Sequence, residues 1–413
     1  MVAPRGIGEG AYLGGEGCLV DLDDDARTIG ARLRRIRKSR DKSLQVVADL
    51  TGGVVSASTL SRIENGLRAL DRRSEIVAIA NVLQIAPSEL IKLPVPKPAN
   101  GDADSAEDAV RLALMAVSRD RPGGQVVGVE ELWARANAIE SMDYRRRGAA
   151  LPGLIRDLHS TLTAGRDVAE LLELAVMVHA QTTRGWLYIA GAPLDLRREA
   201  ATLALRMAQE RDDPTALGVA AWSGVIEMIA AGAFDLAEAE LDSVTVPTNT
   251  SEGMQLNGML ALSRSLVAAA DRRPGDMQAP LEHAAQVAKR TRQGNAFRMG
   301  FGPVNVGLWR MAGALEARDF DQVIQVAEGL RPEEHPSRER RATYWMDYGR
   351  ALARVRRRDE AVMAFRRAEE LFPMRVLRNP FAREVIAELL AHSRRDAVGR
   401  ELRGLAYRAG LEE

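Results

Sequence analysis

The chain has 413 residues, enough for two or three domains, with 57 Lys/Arg balanced by 57 Asp/Glu. That neutrality excludes a protein that is basic throughout and coats nucleic acid. The single cysteine, Cys18, excludes an intramolecular disulfide framework and fits a reducing compartment, so a cytoplasmic protein is expected.

Residues 1–24 are rich in glycine and end in a run of aspartates, which predicts a disordered tail with Asp25 as a helix cap. The N-terminal stretch lacks a continuous apolar core, so no secretory signal is expected. Its glycine clusters, GIGEG and GGEG, have neither a preceding strand nor dinucleotide-fingerprint spacing. A first helix is predicted from about Ala26 to Ser39, with Ile29, Leu33, Ile36 and Arg37 on one face. Arg32, Arg34, Arg35 and Lys38 read as a solvated face. Ser43 then caps a short helix whose apolar positions are Leu44, Val47, Ala48 and Leu50. Thr51, Gly52 and Gly53 break it. Ser56 caps a second short helix that buries Leu60 and Ile63 and ends at Asn65-Gly66. Its other face carries Ala57, Ser58, Thr59, Ser61 and Arg62, small and hydrogen-bonding side chains suited to a DNA major groove. Asp71 is expected to open a fourth helix and Pro87 a fifth. Between Ala26 and Lys92 there are 13 Lys/Arg against 6 Asp/Glu, so the remainder carries a compensating negative excess.

The run from Ser43 to Gly66 resembles the helix-turn-helix of the Xre family, the Cro and phage-repressor type. Ser43 and Ala48 match its first helix. Ser56, Ser58, Thr59, Leu60, Ser61, Arg62, Ile63, Glu64 and Gly66 match its second. The turn is somewhat longer than is usual in that family. The resemblance implies a five-helix, lambda-repressor-like domain over residues 25–93. It also implies that Arg37 pairs with Glu64, as such an arginine and glutamate do in the family. Ser43, Gln45, Asn65 and Arg68 complete the expected DNA-contacting set around Ala57, Ser58, Thr59, Ser61 and Arg62.

Residues 94–104 read as a linker stiffened by three prolines. Residues 105–413 are helix-patterned throughout, so the chain is predicted to be all-α. Repetition is clearest at residues 342–373, where Trp345, Tyr348, Gly349, Leu352, Ala361, Phe365, Ala368 and Pro373 follow the tetratricopeptide pattern, Tyr348 and Leu352 exchanged. The second helices of further units are placed at Ala169, Ala200, Ala237, Ala279 and Val323, and residues 381–411 as a terminal cap. An α-solenoid of tetratricopeptide-like hairpins with a concave groove follows. The segment FGPVNVGLW at 301–309 adds to a resemblance with actinobacterial Xre regulators that carry such repeats, and with receptors for peptide pheromones. Arg184, Trp222, Asn257, Asn305 and Trp309 fall on first helices and are candidates for a ligand groove.

The five histidines are scattered, and no metal-ligand spacing, nucleophile elbow or phosphate loop is present, so no enzyme, metal or cofactor is expected. No stretch reads as a membrane span; the nearest, residues 217–234, contains Glu227 and three glycines. The expected function is a regulator that binds double-stranded DNA, as a homodimer on a two-half-site operator, and senses a peptide, small molecule or protein. The alternative is a scaffold whose repeats titrate a signalling partner, with DNA binding secondary.

Overall fold

The computed structural model describes residues 26–92, 102–393 and 396–411. The expected tail with Cys18 and Asp25, and most of the expected linker, lie outside them. All regular structure among the described residues is helical.

The head comprises α1 (Ile29–Ser39), α2 (Leu44–Leu50), α3 (Ala57–Glu64), α4 (Arg73–Leu83) and α5 (Pro87–Ile91). Side-chain hydroxyls start the first three. Thr28, Ser43 and Ser56 accept from the amides of Ala31, Val46 and Thr59 at 3.1, 3.1 and 3.2 Å. Leu33, Val47, Leu60, Ile63, Leu70, Ile79, Leu83 and Leu90 form the core. A Cβ on Gly30 would lie 2.1 Å from the carbonyl oxygen of Ile63, so α1 touches the end of α3 backbone to backbone. Four local expectations change. The first cap is Thr28. Leu50 is 59% exposed, because it lies off the buried stripe of Val47, Ala48 and Thr51. Arg32 is buried rather than solvated. Asp71 lies ahead of α4, which starts at Arg73, and turns out of the head.

The long helical region follows as α6 (Asp102–Ser118), α7 (Val129–Ser141), α8 (Tyr144–Thr163), α9 (Val168–Met177) and α10 (Arg184–Ala190). It continues with α11 (Leu194–Arg211), α12 (Pro214–Ala231), α13 (Phe234–Ser243), α14 (Ser251–Ala270), α15 (Gln278–Thr291) and α16 (Pro303–Ala317). It ends with α17 (Phe320–Glu328), α18 (Arg338–Arg354), α19 (Arg358–Leu371), α20 (Pro373–Leu377), α21 (Pro380–Ala391) and α22 (Ala397–Arg408). The first of these begins inside the stretch expected to be linker.

Helices α12/α13, α14/α15, α16/α17 and α18/α19 form hairpins, and the first helices of successive hairpins pack side by side. In α18/α19 the close approach falls at Gly349, where a Cβ would sit 3.2 Å from the Ala361 carbonyl. Ala200, Ala237, Val323 and Ala361 are fully buried on second helices. Ala169 and Ala279 are exposed. Ala169 opens α9, a first helix that pairs forward with α11, and the buried face of α15 begins two residues later at Leu281. Helix α12 is long and apolar enough to cross a membrane by composition, but here it packs between α11, α13 and α14. Its Glu227 pairs with Arg184 and Arg197 at 3.2 and 3.1 Å.

The head is not a separate bead. Two carboxylates of the helical region sit at the N-termini of head helices, where helix dipoles and free amides favour negative charge. Glu384 on α21 accepts from the Ile29 amide at 2.5 Å, and Glu316 on α16 accepts from the Arg73 amide at 2.9 Å. Glu388 takes the Ala69 amide at 2.9 Å. In the other direction Asp71 reaches Arg354 at 2.9 Å and Arg350 at 3.6 Å. Apolar residues are exchanged as well: Ala69 is buried in the core of the last hairpins and Phe381 in that of the head. Helix α21 therefore carries the head, a larger role than the expected terminal cap.

Burial pushes the Glu384 carboxyl up to about 7, against the head amides and Arg383 that favour its charged form, from an ordinary value of 4.5. The folded chain thus keeps a proton that the unfolded chain has lost. This contribution to stability is full below pH 4.5 and disappears as pH rises through about 7, amounting to about 3 kcal/mol at most. Thermal melts of the full chain should fall between pH 5 and 8 more steeply than those of Glu384→Gln; parallel curves would rule out this titration.

Candidate nucleic-acid interface and interior cavity

Helix α3 presents its polar face to solvent. Ser58 and Arg62 are exposed, and Ala57, Thr59 and Ser61 half-buried, while Leu60 and Ile63 face the core. The Ser56 hydroxyl lies 3.0 Å from those of Ser58 and Thr59, so the hydroxyls at the start of α3 are mutually oriented. Asn65 donates to the Ser61 carbonyl at 2.8 Å and closes the other end. Ser43 and Gln45 are exposed at the start of α2; Gln45 donates to Asp49 at 2.7 Å.

Arg37 and Glu64 pair as the resemblance implied. The guanidinium donates twice, Nε to Oε1 at 2.6 Å and Nη2 to Oε2 at 2.8 Å, and its Nη1 bonds the Lys42 carbonyl at 2.6 Å. This bidentate bond raises the Arg37 pKa and ties α1 to the end of α3. Arg68 departs from expectation. Its guanidinium is drawn to Glu75 at 2.7 Å, a carboxylate only 1% exposed, and so points into the seam with the helical region rather than toward DNA.

The head's positive charge is therefore divided. Arg34, Lys38, Arg40 and Arg62 are exposed. Arg72 and Arg73 face the seam, where Glu316 takes the Arg72 Nε through its carbonyl at 2.8 Å and the Arg73 guanidinium through its carboxylate at 2.5 Å.

The helical region, with Arg73 of the head, lines an open-mouthed cavity of about 1320 Å³. Ligand cavities commonly hold about 300–1000 Å³. Helices α10 and α20, far apart in the chain, meet at this cavity: the Arg375 guanidinium on α20 stacks 5.1 Å over the Tyr188 ring on α10. Arg375 is the main reason that the Tyr188 phenol is held below its ordinary pKa. A second contact of this kind comes from the loop before α16. Arg298 there reaches Glu140 and Asn137 on α7 at 3.0 and 2.7 Å. A Cβ at Gly300, which has φ +61°, would lie 2.8 Å from the ring of His335. That ring accepts the Ser337 amide at Nδ1, so Nε2 donates to the Gly300 carbonyl at 3.1 Å. Burial pushes this histidine down to about 4.

Four of the five groove candidates line the cavity: Arg184, Trp222, Asn305 and Trp309. Asn257 does not; it faces outward and bonds His283 at 2.6 Å. Asn305 is fully buried and accepts from Arg340 at 2.5 Å. Arg340, Arg375 and Tyr188 went unnoticed in the sequence. Arg340 and Arg375 lie on the flank and far end of the last repeat, and only the meeting of α10 and α20 brings them inward. Among the described residues no cluster of histidine, cysteine and carboxylates has the makings of a metal site.

Residues 28–92 match the model of a helix-turn-helix domain family. No curated protein and no solved structure matches the chain. An all-helical protein with an N-terminal helix-turn-helix domain, followed by a long helical region, supports a DNA-binding regulator.

The Arg37–Glu64 pair gives a stability test. Glu64→Ala leaves a mostly buried guanidinium without its carboxylate, and a loss of about 3 kcal/mol is expected. Chemical denaturation of the full chain measures it, and an unchanged midpoint of the first transition would contradict the pairing.

Proposed function

We propose that this chain is a cytoplasmic, sequence-specific transcriptional regulator of the Xre type. Its helical region of tetratricopeptide-like hairpins senses a ligand and carries the dimer contact. One observation carries the reading: the polar face of α3 is exposed while Arg73 of the head is anchored to Glu316 and lines a large cavity. A module that touches DNA with one face, and is held at its seam by the wall of a large cavity, has the parts of a switch. A deep recess with aromatic and charged lining supports a bound ligand over the scaffold reading. Nothing in the chemistry of the cavity supports catalysis.

Arg62→Ala or Ser58→Ala should weaken binding to the cognate operator by about 1–3 kcal/mol if each side chain meets a base edge. Binding to random DNA should fall less. Footprinting on the DNA upstream of its own gene, followed by titration of both variants on that site and on a shuffled sequence, tests this. Equal losses on the two sequences would refute the assignment of the reading face.

A single α3 offers too few side chains for genomic specificity, so two heads on successive half-sites are expected. Leu112 and Met115, one turn apart on α6, are 57% and 54% exposed and supply an apolar strip for the contact between copies. Sedimentation should give a dimer for the full chain and a monomer for the Leu112→Asp, Met115→Asp double variant. A dimer that survives the double substitution would exclude α6.

A further inference from the structure

The polar atoms of the cavity are unbalanced. Five of its lining residues carry a buried side-chain atom with no hydrogen-bond partner: Gln181 Nε2, Trp222 Nε1, Trp309 Nε1, Arg340 Nε and Arg350 Nε. All five atoms are N–H donors. Trp309 is 8% exposed and Arg350 6%. A buried donor without an acceptor costs about 1–3 kcal/mol, and five on one cavity are a standing demand for acceptors.

Charge points the same way. Nine arginines and five carboxylates line the cavity. Most of the arginines are neutralised, Arg184 by Glu227 and Arg298 by Glu140, for example. Arg340 donates instead to the neutral Asn305 at 2.5 Å. Burial and the neighbouring Arg375 push it down to about 10, although Glu339 and Asp347 act the other way. Beside these donors the lining is apolar and aromatic, with Trp222, Trp309, Ile226, Leu308 and Phe381. The Arg184 guanidinium stacks 5.0 Å over the Trp222 ring, which shows that the wall also accommodates flat groups.

We infer that the cavity binds an organic anion: a small molecule with an apolar or aromatic body and a carboxylate head. One carboxylate oxygen takes the free donor of Arg340 and the other the indole N–H of Trp309, one turn beyond the Asn305 that Arg340 bonds, while the body lies against the Trp222 ring. This deepens, and rests on, the ligand-sensing reading above. An extended peptide fits less well, because its own amides bring as many donors as acceptors to a wall that lacks only acceptors.

The test uses the full-length protein and its tryptophan fluorescence. The probes are 2-naphthoate, 4-phenylbutyrate and decanoate, each beside its uncharged primary amide. At least one acid should bind at least tenfold more tightly than its amide. Arg340→Gln should remove that preference. Should Arg340→Gln fail to fold, Trp309→Phe, which keeps an aromatic side chain but deletes the indole donor at that position, should weaken the acid several-fold. No acid preferred over its amide, or a preference that survives both substitutions, overturns the assignment. A pool of heptapeptides with free C-termini binding more tightly than all three acids overturns it in favour of a peptide. Operator affinity with and without the best acid separates the two levels. An acid that binds in this way but leaves operator affinity unchanged upholds the ligand class and removes the sensing reading. If no acid binds while the operator is still recognised, the ligand class alone falls.

Discussion

Asp71 is the residue on which the relation between the two halves depends. It leaves the head just before α4 and enters a pocket of two guanidiniums, Arg354 at 2.9 Å and Arg350 at 3.6 Å. Burial works against its charge, and the two arginines more than offset that, holding the carboxyl below its usual range. Such a network adds little stability over a well-packed apolar contact, but breaking it is costly, because the survivor is a buried unpaired charge. It therefore fixes position. Around it the polarity reverses: Glu316, Glu384 and Glu388 of the helical region accept amides and side chains of the head. Complementary carboxylates pointing both ways define one docking geometry and penalise slippage in any direction.

This docking explains a distribution of charge that composition alone misreads. The head is strongly basic, and each cation looks like a DNA contact in one dimension. In three, Arg68, Arg72 and Arg73 turn inward to Glu75 and Glu316, and Arg32 is buried. The exposed cations left for phosphate include Arg34, Lys38, Arg40 and Arg62. The basic excess of the head and the acidic excess of the remainder are in part the two sides of one interface.

Local chemistry was legible and closure was not. Ser43 and Ser56 are caps because a hydroxyl before an apolar helical stripe has one good use, and Arg37–Glu64 follows from a motif within 28 residues of chain. The α18/α19 hairpin follows from Gly349 and Ala361, whose small size matters only if two helices touch. Arg340 was invisible because nothing near it in sequence says that α10 and α20 meet. Asn257 was misplaced for a related reason: a first helix has one inward stripe, and its phase against the cavity depends on the superhelical twist, which the sequence leaves open. The exposed Ala169 and Ala279 mark the same limit, since a repeat spacing that drifts from 31 to 44 residues does not fix which small residue faces a neighbour.

Two guanidiniums belong to both the cavity and the seam. Arg350 donates to the Asp71 carbonyl at 2.9 Å and stacks over Phe381 at 5.3 Å; Arg73 pairs with Glu316 and stacks over the same ring at 5.3 Å. Both line the cavity. A ligand shifts the head only by the difference in its affinity for the two arrangements. A tenfold change in DNA affinity needs about 1.4 kcal/mol. One hydrogen bond to a charged group is worth about 1.5–3 kcal/mol, so drawing a single Arg350 bond from Asp71 to a bound anion is enough. A full reversal of a two-state equilibrium needs about 5.5 kcal/mol. That lies beyond one redirected bond, because Glu316, Glu384 and Glu388 would still hold the head. With anchors this redundant, a ligand that touched Arg350 and Arg73, as the sensing proposal requires, would tune the angle and mobility of the head in a graded way rather than release it.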